Sequence, residues 1–174
     1  AYSFAREIEE QSGELAGGEA YSDYRTITDD TGILTVDVPA SWTDTETAPQ
    51  TTEAGPAPFI AASTDMDEFD ATYNVPGMVF IAVPGETTPA EGLTLVAPAA
   101  GECTDGGIYD YDDGRFAGQY QIWEGCGGVG AVMVVLVSQA VDHPGYTFIT
   151  GIQATSEADL AVIDRIFSSF DLTT

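Results

Sequence analysis

From Ala131 to Val137 every side chain is apolar, and the run continues to Val141 with Ser138 and Gln139 as its polar interruptions. Residues 131–141 therefore read as a central strand with no face to offer to water, one that other elements must cover on both sides. The run falls short of the roughly 18 to 20 apolar residues that a membrane-spanning helix needs. Turn residues bound it. Gly127, Gly128 and Gly130 precede it, and Asp142-His143-Pro144-Gly145 turns the chain into a further strand over residues 146–153.

Elsewhere the chain shows the period-two alternation of half-buried strands. Residues 24–28 and 33–38 form a hairpin around Asp29-Asp30-Thr31-Gly32, in which Leu34, Val36 and Val38 alternate with Thr35 and Asp37. Pro39 ends that strand, and Trp42 is expected to pack over the sheet. Residues 43–58, rich in Thr, Pro, Glu and Ala, read as a loop. A short strand follows at 59–63, then a short helix over 65–73 with Met66, Phe69 and Tyr73 at helical spacing. Residues 78–83 are a buried strand, and 89–96 a second helix, weakened by Gly92. Phe116, Gly118, Tyr120 and Ile122 share one face of a strand over 115–123. The strongest helix is the last. Ser156 can cap it, Asp159 suits its first turn, and Leu160, Ile163, Phe167 and Phe170 line one side.

These elements predict an α+β fold, an antiparallel β-sheet flanked by helices in an α/β/α-type sandwich, with the C-terminal amphipathic helix packed on the sheet. A chain of 174 residues suits one domain. That domain is expected over residues 24–174. Residues 1–23, broken by Gly13, Gly17 and Gly18, read as an N-terminal linker or a short docked helix.

Charge bounds the function. The chain has 29 acidic residues against four arginines and no lysine, a formal net charge of -25. Such a surface repels phosphates, so nucleic acid and anionic membrane surfaces are excluded as partners. It suits a salty exterior, where ions screen self-repulsion. The 44% of hydrophobic residues rules out disorder as the meaning of that charge. The chain opens at Ala1 without methionine, as expected of one trimmed of a targeting or anchoring segment, so a membrane tether upstream is an open possibility.

Cys103 and Cys126 are expected to form a disulfide, which would place the protein outside the cytosol; free buried thiols are the alternative. His143 stands in a turn, and no G-x-S-x-G elbow presents a serine, so a hydrolase triad lacks material. Paired carboxylates are too numerous for their spacing to mark a glycosidase or acid–base site. Calcium has two weak candidate sets, Asp65, Asp67 and Asp70 beside Glu68, and Asp110, Asp112 and Asp113 before Gly114. Neither fits the EF-hand loop. Cys126-Gly127-Gly128-Val129-Gly130 lacks the G-K-[ST] ending of a phosphate loop and reads as a tight turn. Trp42 and Trp123 read as core anchors.

Asp30-Thr31-Gly32 followed by Leu34-Thr35-Val36-Asp37-Val38-Pro39-Ala40-Ser41-Trp42, with Ser168-Ser169-Phe170 near the end, resembles PsbP-like domains, including mycobacterial lipoproteins of the LpqN type. The resemblance covers about residues 24–172 in order of elements. It implies an antiparallel sheet flanked by helices, a secreted or membrane-attached location, and a binding or accessory role with no shared catalytic residues. The leading expectation is a non-enzymatic extracytoplasmic domain, without a cofactor, that binds a protein, peptide or small apolar ligand. A carboxylate-dependent hydrolase and a calcium-stabilised structural module are the alternatives.

Overall fold

The computed structural model describes residues 21–98 and 101–172 and places them in an α+β fold built mainly of antiparallel sheet. The chain opens with β1 (Tyr24–Thr28) and β2 (Leu34–Pro39), the hairpin expected from the alternation. Its turn is built by Asp29, which is buried and whose carboxylate accepts from the Ile33 and Leu34 backbone N–H groups at 2.9 and 2.8 Å. Then come β3 (Asp44–Glu46), β4 (Gln50–Thr52), β5 (Gly55–Ala57), β6 (Phe59–Ser63) and α1 (Met66–Ala71). After α1 follow β7 (Gly77–Pro84), α2 (Pro89–Leu95), β8 (Thr104–Asp112), β9 (Phe116–Cys126), β10 (Ala131–Ala140) and β11 (Tyr146–Ala154). The chain closes with α3 (Glu157–Ser169) and β12 (Asp171–Leu172).

Among the described residues the main sheet has seven strands in the order β3-β6-β7-β11-β10-β9-β8, and a smaller sheet has the order β1-β2-β12. The strand read first from the sequence, β10, lies between β9 and β11 and is buried along almost its whole length. Its alternate side chains enter two separate cores, as the pleat requires. Val132, Val134 and Leu136 face a large core shared with β2, Trp42 and the apolar side of α3, whereas Val135 and Val137 face a small one shared with Leu93 of α2.

The large core is aromatic at its centre. The Phe116 ring meets Phe170 at 4.5 Å and Phe148 at 5.4 Å between centroids, and Phe80 meets Phe170 at 5.3 Å. Phe170, which follows the last turn of α3, is the ring that both Phe80 and Phe116 meet. The helix start is held by Asp159, whose Oδ2 accepts from the backbone N–H of Thr155 and Ser156 at 2.9 and 3.1 Å. Tyr21 donates to the other oxygen at 2.6 Å and lies edge-on to Trp42. The segment 1–23 otherwise lies outside the described residues, apart from Ser22 and Asp23.

Two regions depart from the sequence reading. The loop expected over residues 43–58 holds three short strands, and β4 pairs with β5 in a hairpin of its own. These strands carry no apolar period because β3 is an exposed edge and the β4–β5 ribbon buries only Ala57. β8 had no expected strand at all. It is the edge strand opposite β3, and its exposed Asp105, Asp110 and Asp112 are the charges that keep an edge from pairing with other chains. Helix α2, doubted because of Gly92, forms with Thr88 as its cap and Pro89 at its start.

Candidate functional site

The face of the main sheet turned away from α3 is covered unevenly, and the reason is local. At one side α2 sits down hard on β10: a Cβ on Gly92 would come within 2.6 Å of Val137 Cγ1, so only glycine admits this approach. At another side α1 lays Phe69 on Gly77, where a Cβ would come within 2.5 Å of the ring. Between the two helices the middle of β11 carries Gly151, paired with Val135 and Val79, and an added Cβ there would meet nothing within 4 Å. A strand glycine loses stability and packs nothing, and such a position often marks where a ligand approaches the sheet.

The result is a cleft of about 190 Å³. Val79, Val135, Ile149 and Met133 form its apolar floor around Gly151, and Phe69 and Val96 form its walls. Among the described residues its one polar lining side chain is Gln153, which is buried and already engaged: Nε2 donates to the Val75 carbonyl at 2.7 Å and the Thr72 carbonyl at 3.3 Å. Those bonds hold the segment after α1 over the end of the sheet. Among the described residues no ionisable side chain lines the cleft. Leu95 next to Val96 is 78% exposed, which extends the apolar surface past the rim.

Cys103 and Cys126 are disulfide-bonded, joining the start of β8 to the end of β9. The bridge supports the α1 wall through a short relay. Beside it the Gly127 N–H donates to the Glu102 carbonyl at 2.9 Å, the Tyr73 ring lies on Gly127, and the Tyr73 hydroxyl donates to the Glu102 carboxylate at 2.7 Å. Burial, then that hydrogen bond, pushes the Tyr73 hydroxyl up to about 12. Such a disulfide belongs to an oxidising, extracytoplasmic environment. Among the described residues no helix is long and apolar enough to cross a membrane.

The two acidic candidate sets are taken up by local structure. Asp65 caps α1, its carboxylate accepting from the Glu68 N–H at 3.1 Å, while Asp67 and Asp70 are exposed on the same helix. Asp110 accepts from Gln119 at 3.3 Å, and Asp112 and Asp113 fold the β8–β9 turn. Asp113 is the most engaged: burial raises its carboxyl, but N–H groups of Phe116 and Arg115, the Tyr111 hydroxyl and the Arg115 guanidinium outweigh that and hold it below its ordinary value. Tyr111 is raised by burial and by its bond to Asp113. Among the described residues no three His, Cys, Asp or Glu side chains are grouped to hold a metal ion.

His143 is half-buried in the β10–β11 turn, its backbone N–H donating to the Ala140 carbonyl at 3.4 Å. The glycine-rich stretch at residues 127–130 is a turn, with Gly127, Gly128 and Gly130 at positive φ. Trp42 is wholly buried, whereas Trp123 is half-buried. The cleft itself escaped the sequence reading. Its one legible sign was Gly151, a lone glycine inside a strand of apolar and β-branched residues. No family model matches the chain, and no curated protein matches it either.

Proposed function

We propose that this is a non-enzymatic extracytoplasmic binding domain, PsbP-like in its helix–sheet–helix layering, whose ligand site is the cleft above Gly151. The observation that carries the reading is the open space over that glycine in an otherwise well-packed sheet. A cavity of roughly 150 Å³ lined by Leu, Ile and Phe takes up benzene, so the cleft is sized for one aromatic or branched apolar group. The lining favours binding over turnover. Among the described residues it presents no carboxylate, imidazole or hydroxyl to a substrate, and its single amide is committed to the backbone.

The test is a methyl NMR titration of the full chain with uncharged small aromatics such as toluene and indole. The resonances of Val79, Val135 and Ile149 should shift together and saturate, and Gly151→Leu should abolish the effect. Shifts scattered over the large core, or none at those three residues, would refute the reading.

A further inference from the structure

Among the described residues the charge on the helices around the cleft is of one sign. The wall helix α1 exposes Asp67, Glu68 and Asp70, and α2 exposes Glu91. The described arginines are all committed elsewhere. Arg25 donates to the Trp42 carbonyl at 2.9 Å, Arg115 pairs with Asp171 at 3.0 Å, and Arg165 pairs with Asp37 at 3.0 Å. Asp37 and Asp171 belong to strands of the small sheet and Trp42 lies in the segment after β2, and all three elements share the core on the main sheet's other face. Among the described residues, an apolar floor is thus enclosed by walls that carry carboxylates and no cation.

Resting on the binding reading above, we infer that the cleft takes one apolar side chain of a cationic peptide segment, with Lys or Arg residues on either side of it lying over α1 and α2. The cleft is sized for a single leucine or phenylalanine side chain. The exposed Leu95 and the carboxylates of the two helices lie outside the cavity, so an occupant that uses them must extend past it on both sides. An extended peptide does this, and a compact apolar molecule does not. Its floor supplies packing, and the acidic helices supply attraction at a distance, raising the association rate and selecting sign. The field of a chain at -25 rejects acidic partners of the same shape.

Three short synthetic peptides test this against the full chain by fluorescence anisotropy: Phe at the centre with Lys flanks, Phe with Glu flanks, and Ala with Lys flanks. The first should bind at least about tenfold tighter than the other two at low salt, and its advantage over the Glu-flanked peptide should shrink as the screening length falls from about 10 Å at 0.1 M to about 3 Å at 1 M. Gly151→Leu should reduce the Phe-centred Lys peptide to the level of the Ala-centred one. The triple variant Asp67→Asn, Glu68→Gln, Asp70→Asn should weaken Lys-flanked binding while toluene still shifts the cleft methyls.

Equal binding of Lys- and Glu-flanked peptides would overturn the inference, and so would equal binding of the Phe- and Ala-centred peptides, which signals charge attraction alone. If toluene binds and the peptides show no such discrimination, the cleft reading stands and the peptide assignment falls. If neither toluene nor any peptide engages the cleft, both fall together.

Discussion

Replacing Gly151 by valine should make the protein more stable, against the usual run of substitutions in a buried sheet, which centre near about 1 kcal/mol of destabilisation. Gly151 lies in β11 between Val135 and Val79, has no positive φ, and has open space where a Cβ would stand. Removing the glycine's excess backbone freedom returns about 0.5 to 1 kcal/mol. The three added carbons would each return about 0.8 kcal/mol if fully buried, so half coverage by the cleft floor returns about 1 kcal/mol. Loss of side-chain freedom offsets about 0.5 kcal/mol of this. The net gain is about 1 to 1.5 kcal/mol, which for a domain of this size raises Tm by roughly 2 to 6 °C. Thermal unfolding followed by circular dichroism, with urea unfolding as the second measure, reads this directly. A fall in Tm of more than about 2 °C would mean that the position is closed and strained, and the cleft argument would fail with it.

Other consequences are simpler. Gly92→Ala, normally favourable by about 1 kcal/mol in a helix, should instead cost about 1 to 3 kcal/mol in urea unfolding, because its Cβ collides with Val137. Replacing Cys103 and Cys126 together by alanine should cost about 3 kcal/mol, and a reducing agent should lower the Tm of the wild type and not of this variant. Asp113 has a depressed folded-state carboxyl, so its contribution is present above its ordinary value of 3.8 and is lost as pH falls through the folded value; Asp113→Asn should therefore destabilise at pH 7 and lose that effect in acid titration. The tyrosines behave oppositely. Tyr73 is raised, so its contribution is intact below its ordinary value of 10.0 and is lost as pH rises through about 12; Tyr73→Phe should flatten the alkaline limb of the stability curve over that window.

Much of the fold was legible because its information is local. The hairpin from Tyr24 to Pro39 declares itself by alternation and an Asp-rich turn, and Asp29 turned out to supply the hydrogen bonds that such a turn needs. β10 declares itself by an unbroken apolar run, and α3 by Ser156, Asp159 and the stripe that ends at Phe170. β8 was hidden for a physical reason: an edge strand keeps charges on its exposed face, here Asp110 and Asp112 alternating with the half-buried Tyr109 and Tyr111, so its sequence looks like a turn-rich acidic stretch. α2 was half-hidden because helix propensity counts Gly92 as a defect. Its purpose is clear only once Val137 is underneath it.

The sequence by itself therefore determined the strand-rich α+β class, the hairpin and final helix, the pairing-ready cysteines and the sign of the surface. All of these follow from periodicity, composition or residue chemistry within a few positions along the chain. Tertiary structure alone decided the cleft. Phe69, Val96, Met133, Ile149 and Gly151 come from different elements, and none has unusual chemistry where it stands in the chain. An empty space between two helices and a sheet is a property of how closely each helix can approach, and here glycines at positions 77, 92 and 151 set those distances.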